Sequence, residues 1–134
     1  MASHNASAVT IDEYELPKGG KRVATLVCAA LMALSARRKL IEPRSILHDR
    51  VLARSATAVK YSKPVQDALF YFFFGLHGAE TVWFALTKLK KHNVKRFSPV
   101  WFKWIVTVFL GGVFATKHWD EVVEKKEIQA IKEI

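Results

Sequence analysis

The chain has 134 residues, 51% of them hydrophobic, with 21 Lys and Arg against 12 Asp and Glu and a formal net charge of +9. A positive mean hydropathy in so basic a chain requires segregation, with apolar residues in long runs and basic residues in the gaps, which is the composition of a small membrane protein. It excludes a disordered basic tail, a disulfide scaffold, because Cys28 is the single cysteine, and, on length, a multidomain enzyme.

Residues 1–22 read as a disordered N-terminal segment, acidic at Asp12, Glu13 and Glu15 and basic at Lys18, Lys21 and Arg22. The first apolar run, Val23 to Ala36, is 14 residues long. That length fits a short span with flanking Arg and Lys reaching the interfaces, a re-entrant or interfacial helix, or the core of a cleaved signal. The acids before it are atypical of a signal peptide and of a mitochondrial presequence. Residues 37–63 form a basic connector, eight Lys and Arg against Glu42 and Asp49. Leu47, Val51, Leu52 and Val59 recur there at loosely helical spacing among Arg50, Arg54 and Lys60. The pattern fits either a basic amphipathic helix on anionic headgroups or a solvated connector.

Residues 64–116 read as an antiparallel transmembrane helical hairpin. Val65 to Thr87 is a 23-residue run and Pro99 to Thr116 an 18-residue run broken only by Lys103, against the roughly 17–25 residues a helix needs to cross a bilayer. Pro64 and Pro99 are placed for the first turn of each helix. The turn between them, Lys88 to Phe97, carries five Lys or Arg and no acid. Residues 117–134 read as an amphipathic C-terminal helix, with Trp119, Val123, Ala130 and Ile134 on one side and Glu121 and Lys125 at i,i+4. With three spans, the N-terminal segment and the turn share a side holding eight Lys or Arg; the connector and tail hold twelve. Charge density in the turn and total charge opposite it pull apart under the positive-inside rule, and orientation stays open.

The informative residues are the polar ones inside the hairpin. His77 and Glu80 are three positions apart and share a helical face with Thr81. A carboxylate at that depth must be neutral, paired or facing water. On the returning helix Thr107 lies at similar depth, and Lys103 one turn away. An intramembrane polar cluster of His77, Glu80, Lys103 and Thr107 is therefore expected, with Glu80 held by Lys103 or His77; the alternative has Lys103 reaching the interface and Glu80 neutral. Gly75, Gly78 and Ala79 on one helix, and Thr107, Gly111 and Ala115 on the other, mark close-packing positions.

No cofactor or metal is expected. His77 and Glu80 lack the further donors a carboxylate metal site needs, Asp67 lying near the other end of the same run, and no catalytic set is complete around them. Cys28 reads as a packed apolar residue. A nucleic-acid partner is not expected either, because the aromatics lie inside the apolar runs and not among the basic residues.

The hairpin resembles the transmembrane protein 254 family, small multi-span eukaryotic proteins. The resemblance covers roughly residues 69–114 and is carried by His77-Gly78-Ala79-Glu80 inside one span, the basic turn Lys88 to Phe97, Trp101-Phe102, and Thr107-Val108-Phe109-Leu110-Gly111. It implies three spans and carries no activity.

The sequence thus predicts an all-α integral membrane protein without catalytic activity, an accessory or scaffold subunit acting through helix–helix contacts. Its expected partners are the lipid bilayer and other membrane proteins or a second copy of itself. The competing class is a lipid- or sterol-handling protein using the His77/Glu80 pair. The expected compartment is the endoplasmic reticulum or a related endomembrane, with a mitochondrial membrane as the alternative.

Overall fold

A computed structural model of the chain describes residues 8–133. The first seven residues of the expected disordered segment, and Ile134 of the expected apolar edge, lie outside the described residues. Among the described residues every regular element is helical, and none is a strand.

Helix α1, Gly19–Ala36, begins four residues before the apolar run and has 18 residues, about 27 Å at 1.5 Å per residue. Its last carbonyls are satisfied from outside: Gln66 Nε2 donates to Leu34 O at 3.1 Å and to Arg37 O at 3.0 Å, replacing the partners a helix C-terminus lacks. The connector is neither a continuous amphipathic helix nor an open coil. It is a string of single turns, Arg38–Ile41, α2 (Ile46–Arg50) and Leu52–Arg54. Ser45 caps α2 by accepting from His48 N, and Ser55 caps the next long helix by accepting from Ala58 N.

Helix α3, Ala56–Phe84, has 29 residues and continues through a widened π turn, Ala85–Leu89. Pro64 is therefore inside the helix and not at its first turn. The start is set by the Ser55 cap, which the hydropathy pattern does not register. Val59 and Lys60 belong to this helix. Together α3 and its π turn run about 50 Å. Helices α1 and α3 are long and apolar enough to cross a membrane.

Helix α4, Pro99–Gly111, starts as expected, with Ser98 accepting from Trp101 N and Pro99 at the first position. It is 13 residues long, about 20 Å, short of a bilayer core of about 30 Å. The expected span 99–116 is thus not one helix. Gly112, at φ +55 and ψ −129, ends α4 and starts α5, Val113–Lys132. If the helix ran on, Trp104 and Trp119 would be about 22 Å apart; their rings meet edge-to-face at 4.8 Å. The chain therefore reverses at Gly112, and α5 returns along α4.

The core forms where α4, α5 and the end of α3 meet. Phe84, Leu89, Trp104, Val108, Ala115 and Trp119 are buried there, and Trp119 stacks edge-on against Phe84 at 5.1 Å as well as Trp104. The segment before α1 is not free over its described part. It is an extended strap: Ile11 is buried, Ile11 N donates to His92 O at 3.0 Å, and His92 Nδ1 donates to Val9 O at 2.7 Å. Further along, Tyr14 packs on Trp104 at 4.9 Å.

Candidate functional site

The Gly112 junction is tightly packed. It lies against His77 and Glu80, near the midpoint of α3's apolar run. A broken helix exposes carbonyls at the end of α4 and N–H groups at the start of α5. His77, 6% exposed, supplies one partner, with Nδ1 2.8 Å from Phe109 O. A carbonyl only accepts, so Nδ1 carries the proton and, in the neutral ring, Nε2 keeps a lone pair. Thr81 Oγ1 in turn donates to His77 O at 2.6 Å.

Gly112 permits this contact in two ways. Its φ lies in the left-handed region that favours glycine. A Cβ there would stand 2.6 Å from His77 Nε2 and 3.0 Å from Glu80 Oε2. Glu80 Oε2 is buried and has no hydrogen-bond partner among the described residues. It lies beside the N-terminus of α5.

The structure divides the expected polar cluster in two. His77 and Glu80 meet at Gly112. Lys103 and Thr107 lie on the other side of α4: Lys103 is exposed, while Thr107 Oγ1 donates to Lys103 O at 2.8 Å and bonds to the Tyr14 hydroxyl. Among the described residues no ion pair joins Glu80 to Lys103 or to His77. The orientation of α4 is the reason: its Lys103 face is turned to the outside and its Phe109 carbonyl toward His77 on α3.

The packing glycines separate in the same way. Gly75 is exposed and a Cβ there would meet nothing within 4 Å. Gly78 has ordinary contact with Phe109 at 4.0 Å. Gly111 is the close approach, but to α1: its Cβ would stand 2.6 Å from Thr25 Oγ1. Sequence reasoning missed Gly112, although the Gly111-Gly112 dipeptide is itself a turn signal. It also missed Gln66, His92 and His118, whose partners are backbone groups distant in sequence.

Polar contacts at the two ends are ionic. Arg38 pairs with Asp67 and lies 4.8 Å over the Phe70 ring. At the other end Glu121 and Lys125 do not pair with each other. Lys21 takes Glu121, and Lys125 Nζ reaches Glu15 at 2.6 Å. The Lys125 ammonium holds the Glu15 carboxyl below its ordinary value, and Lys21 does the same for Glu121. His118 Nε2 lies 2.8 Å from Glu15 O, tying the strap to α5. Among the described residues no three His, Cys, Asp or Glu side chains converge on a point that could hold a metal ion.

No family profile, curated protein or solved structure matches this chain.

Proposed function

We propose that the chain is a small integral membrane protein that acts as an accessory or scaffold subunit through helix–helix contacts. In this reading α1 and α3 cross the bilayer, and α4 and α5 enter from the basic-turn side, reverse at Gly112 at mid-depth and leave on the side they entered. The observation that carries it is the exposure of large apolar side chains along both long helices: Leu26 is 62% exposed on α1, Tyr71 and Phe72 on α3 are 70% and 59% exposed, and Leu86 in the π turn that continues α3 is 62% exposed. Water does not tolerate so continuous an apolar face on a monomer, whereas lipid or a partner helix does. Irregular backbone at membrane depth is tolerated only when protein satisfies it, and the His77 contact with Phe109 O supports that requirement.

The re-entrant path also moves the tail. The N-terminal segment, the turn and the tail then share one side with twelve Lys and Arg, against eight in the connector. The positive-inside rule orients both termini to the cytoplasm. We keep the endoplasmic reticulum or a related endomembrane as the compartment, with a mitochondrial membrane as the alternative, and the resemblance to the transmembrane protein 254 family as part of the proposal. Alkaline carbonate extraction followed by affinity purification in mild detergent tests it. Retention in the membrane pellet with a stoichiometric membrane-protein partner or a second copy supports the scaffold reading; release into the supernatant refutes it.

One observation favours the competing lipid- or sterol-handling reading, namely the unpartnered Glu80 Oε2 beside His77. Comparison of His77→Ala and Glu80→Gln separates the two. Function lost at normal abundance favours chemistry at the pair, and function lost in step with abundance favours the scaffold.

A further inference from the structure

A second polar feature lies away from the Gly112 junction, in a groove of about 310 Å³ between the strap and α4, lined by Tyr14, Phe102, Lys103, Val106 and Thr107. Its hydroxyls are already committed. Thr107 Oγ1 gives its only proton to Lys103 O, so the Tyr14 hydroxyl donates to Thr107 Oγ1. Neither has a proton left for a ligand. The remaining donor is the Lys103 ammonium, which is exposed and has no carboxylate within 4.0 Å among the described residues. Its neighbours Phe102 and Val106 are apolar and 48% and 53% exposed.

Position selects the ligand further. Toward the basic turn, Phe97, Trp101 and Phe102 form a cluster with centroids 5.0–6.0 Å apart. A Trp at this position settles at headgroup depth, and Lys103, two residues further along α4 and so about 3 Å deeper, has a stem long enough to reach the headgroups. A lone cation over an apolar wall asks for a ligand with one anionic end and one hydrocarbon end. A zwitterionic headgroup would bring a second cation where no carboxylate awaits it, and a sterol would leave the ammonium unpaired.

We propose that this groove binds one anionic glycerophospholipid, its phosphate on Lys103 Nζ and the start of an acyl chain along Phe102 and Val106. The inference rests on the membrane reading above.

The test is native mass spectrometry of the full chain, delipidated in detergent and offered dioleoylphosphatidylglycerol or dioleoylphosphatidylcholine. One phosphatidylglycerol adduct is expected, favoured about five- to tenfold over phosphatidylcholine, as one lysine contact at the membrane surface warrants. Lys103→Gln should bring the two lipids to parity, Lys103→Arg should keep the preference, and Lys91→Gln in the turn should leave it unchanged. Val106→Trp, which fills the groove with Lys103 intact, should remove the adduct. A preference that survives Lys103→Gln, or an adduct that survives Val106→Trp, overturns the site. A chain stripped from membranes by alkaline carbonate overturns the membrane reading and the site with it, whereas a membrane-retained chain failing the lysine test overturns the site alone.

Discussion

Replacing Gly112 with Ala tests the junction on two independent terms. The first is backbone conformation: at φ +55 and ψ −129 a residue with a Cβ is strained by about 1–3 kcal/mol. The second is space. The new Cβ would meet His77 Nε2 at 2.6 Å and Glu80 Oε2 at 3.0 Å, and overpacking of this kind costs about 1–3 kcal/mol. The sum, about 2–6 kcal/mol, is a large fraction of a small domain's stability. Thermal unfolding of the purified protein in mild detergent, with limited trypsin digestion at the basic turn, reads it. Gly111→Ala should cost only the overpacking part, because its Cβ meets Thr25 Oγ1 at 2.6 Å but its backbone is helical. Gly75→Ala should be neutral or stabilise by up to about 1 kcal/mol, because the site is open. In a His77→Ala background, Gly112→Ala should lose much of its space term and keep the backbone term. Equal effects at positions 75, 111 and 112 would refute the reasoning, as would full additivity with His77→Ala.

Three further outcomes are expected from the same contacts. His77→Leu leaves Phe109 O without its partner and should cost about 1–3 kcal/mol, read by the same thermal unfolding. Trp119→Ala removes a side chain 1% exposed between Phe84 and Trp104 and should cost about 3–5 kcal/mol, seen also as faster proteolysis of the strap. The Glu15 carboxyl, depressed by Lys125, stabilises the strap above its ordinary value of 4.5 and loses that contribution as pH falls through the lower folded value. Exchange protection of the Ile11 amide, corrected for intrinsic rate, should therefore fall below pH 4.5, and Lys125→Ala should weaken that pH dependence, leaving the smaller contributions of Lys18 and His118.

Much of the architecture is legible from pattern, and what is missed has a common cause. Long apolar runs announce α1 and α3, and the Ser98-Pro99 start of α4 comes from capping chemistry. Hydropathy alone runs straight through Gly112, because an apolar stretch looks the same whether it continues or folds back. Lys103 is exposed on the face of α4 turned away from α3, while the Phe109 carbonyl faces His77, so the expected ion pair does not form. The strap is hidden for another reason. Ile11 and Tyr14 meet His92 and Thr107, 81 and 93 positions away, and the acids around them read as solvated. Glu121 and Lys125 sit at the correct helical spacing, yet each finds a partner from the N-terminal segment, since α1 and the strap bring Lys21 and Glu15 closer.

The central claim is that α4 and α5 enter and leave on one side. It is tested most directly by replacing Cys28 with Ala, placing single cysteines at Arg50, Lys91 and Lys132, and labelling intact membrane vesicles with an impermeant maleimide. The account predicts that positions 91 and 132 label from the same side and position 50 from the other. Labelling of position 132 together with position 50 would mean that the chain crosses the bilayer after Pro99, and would contradict it.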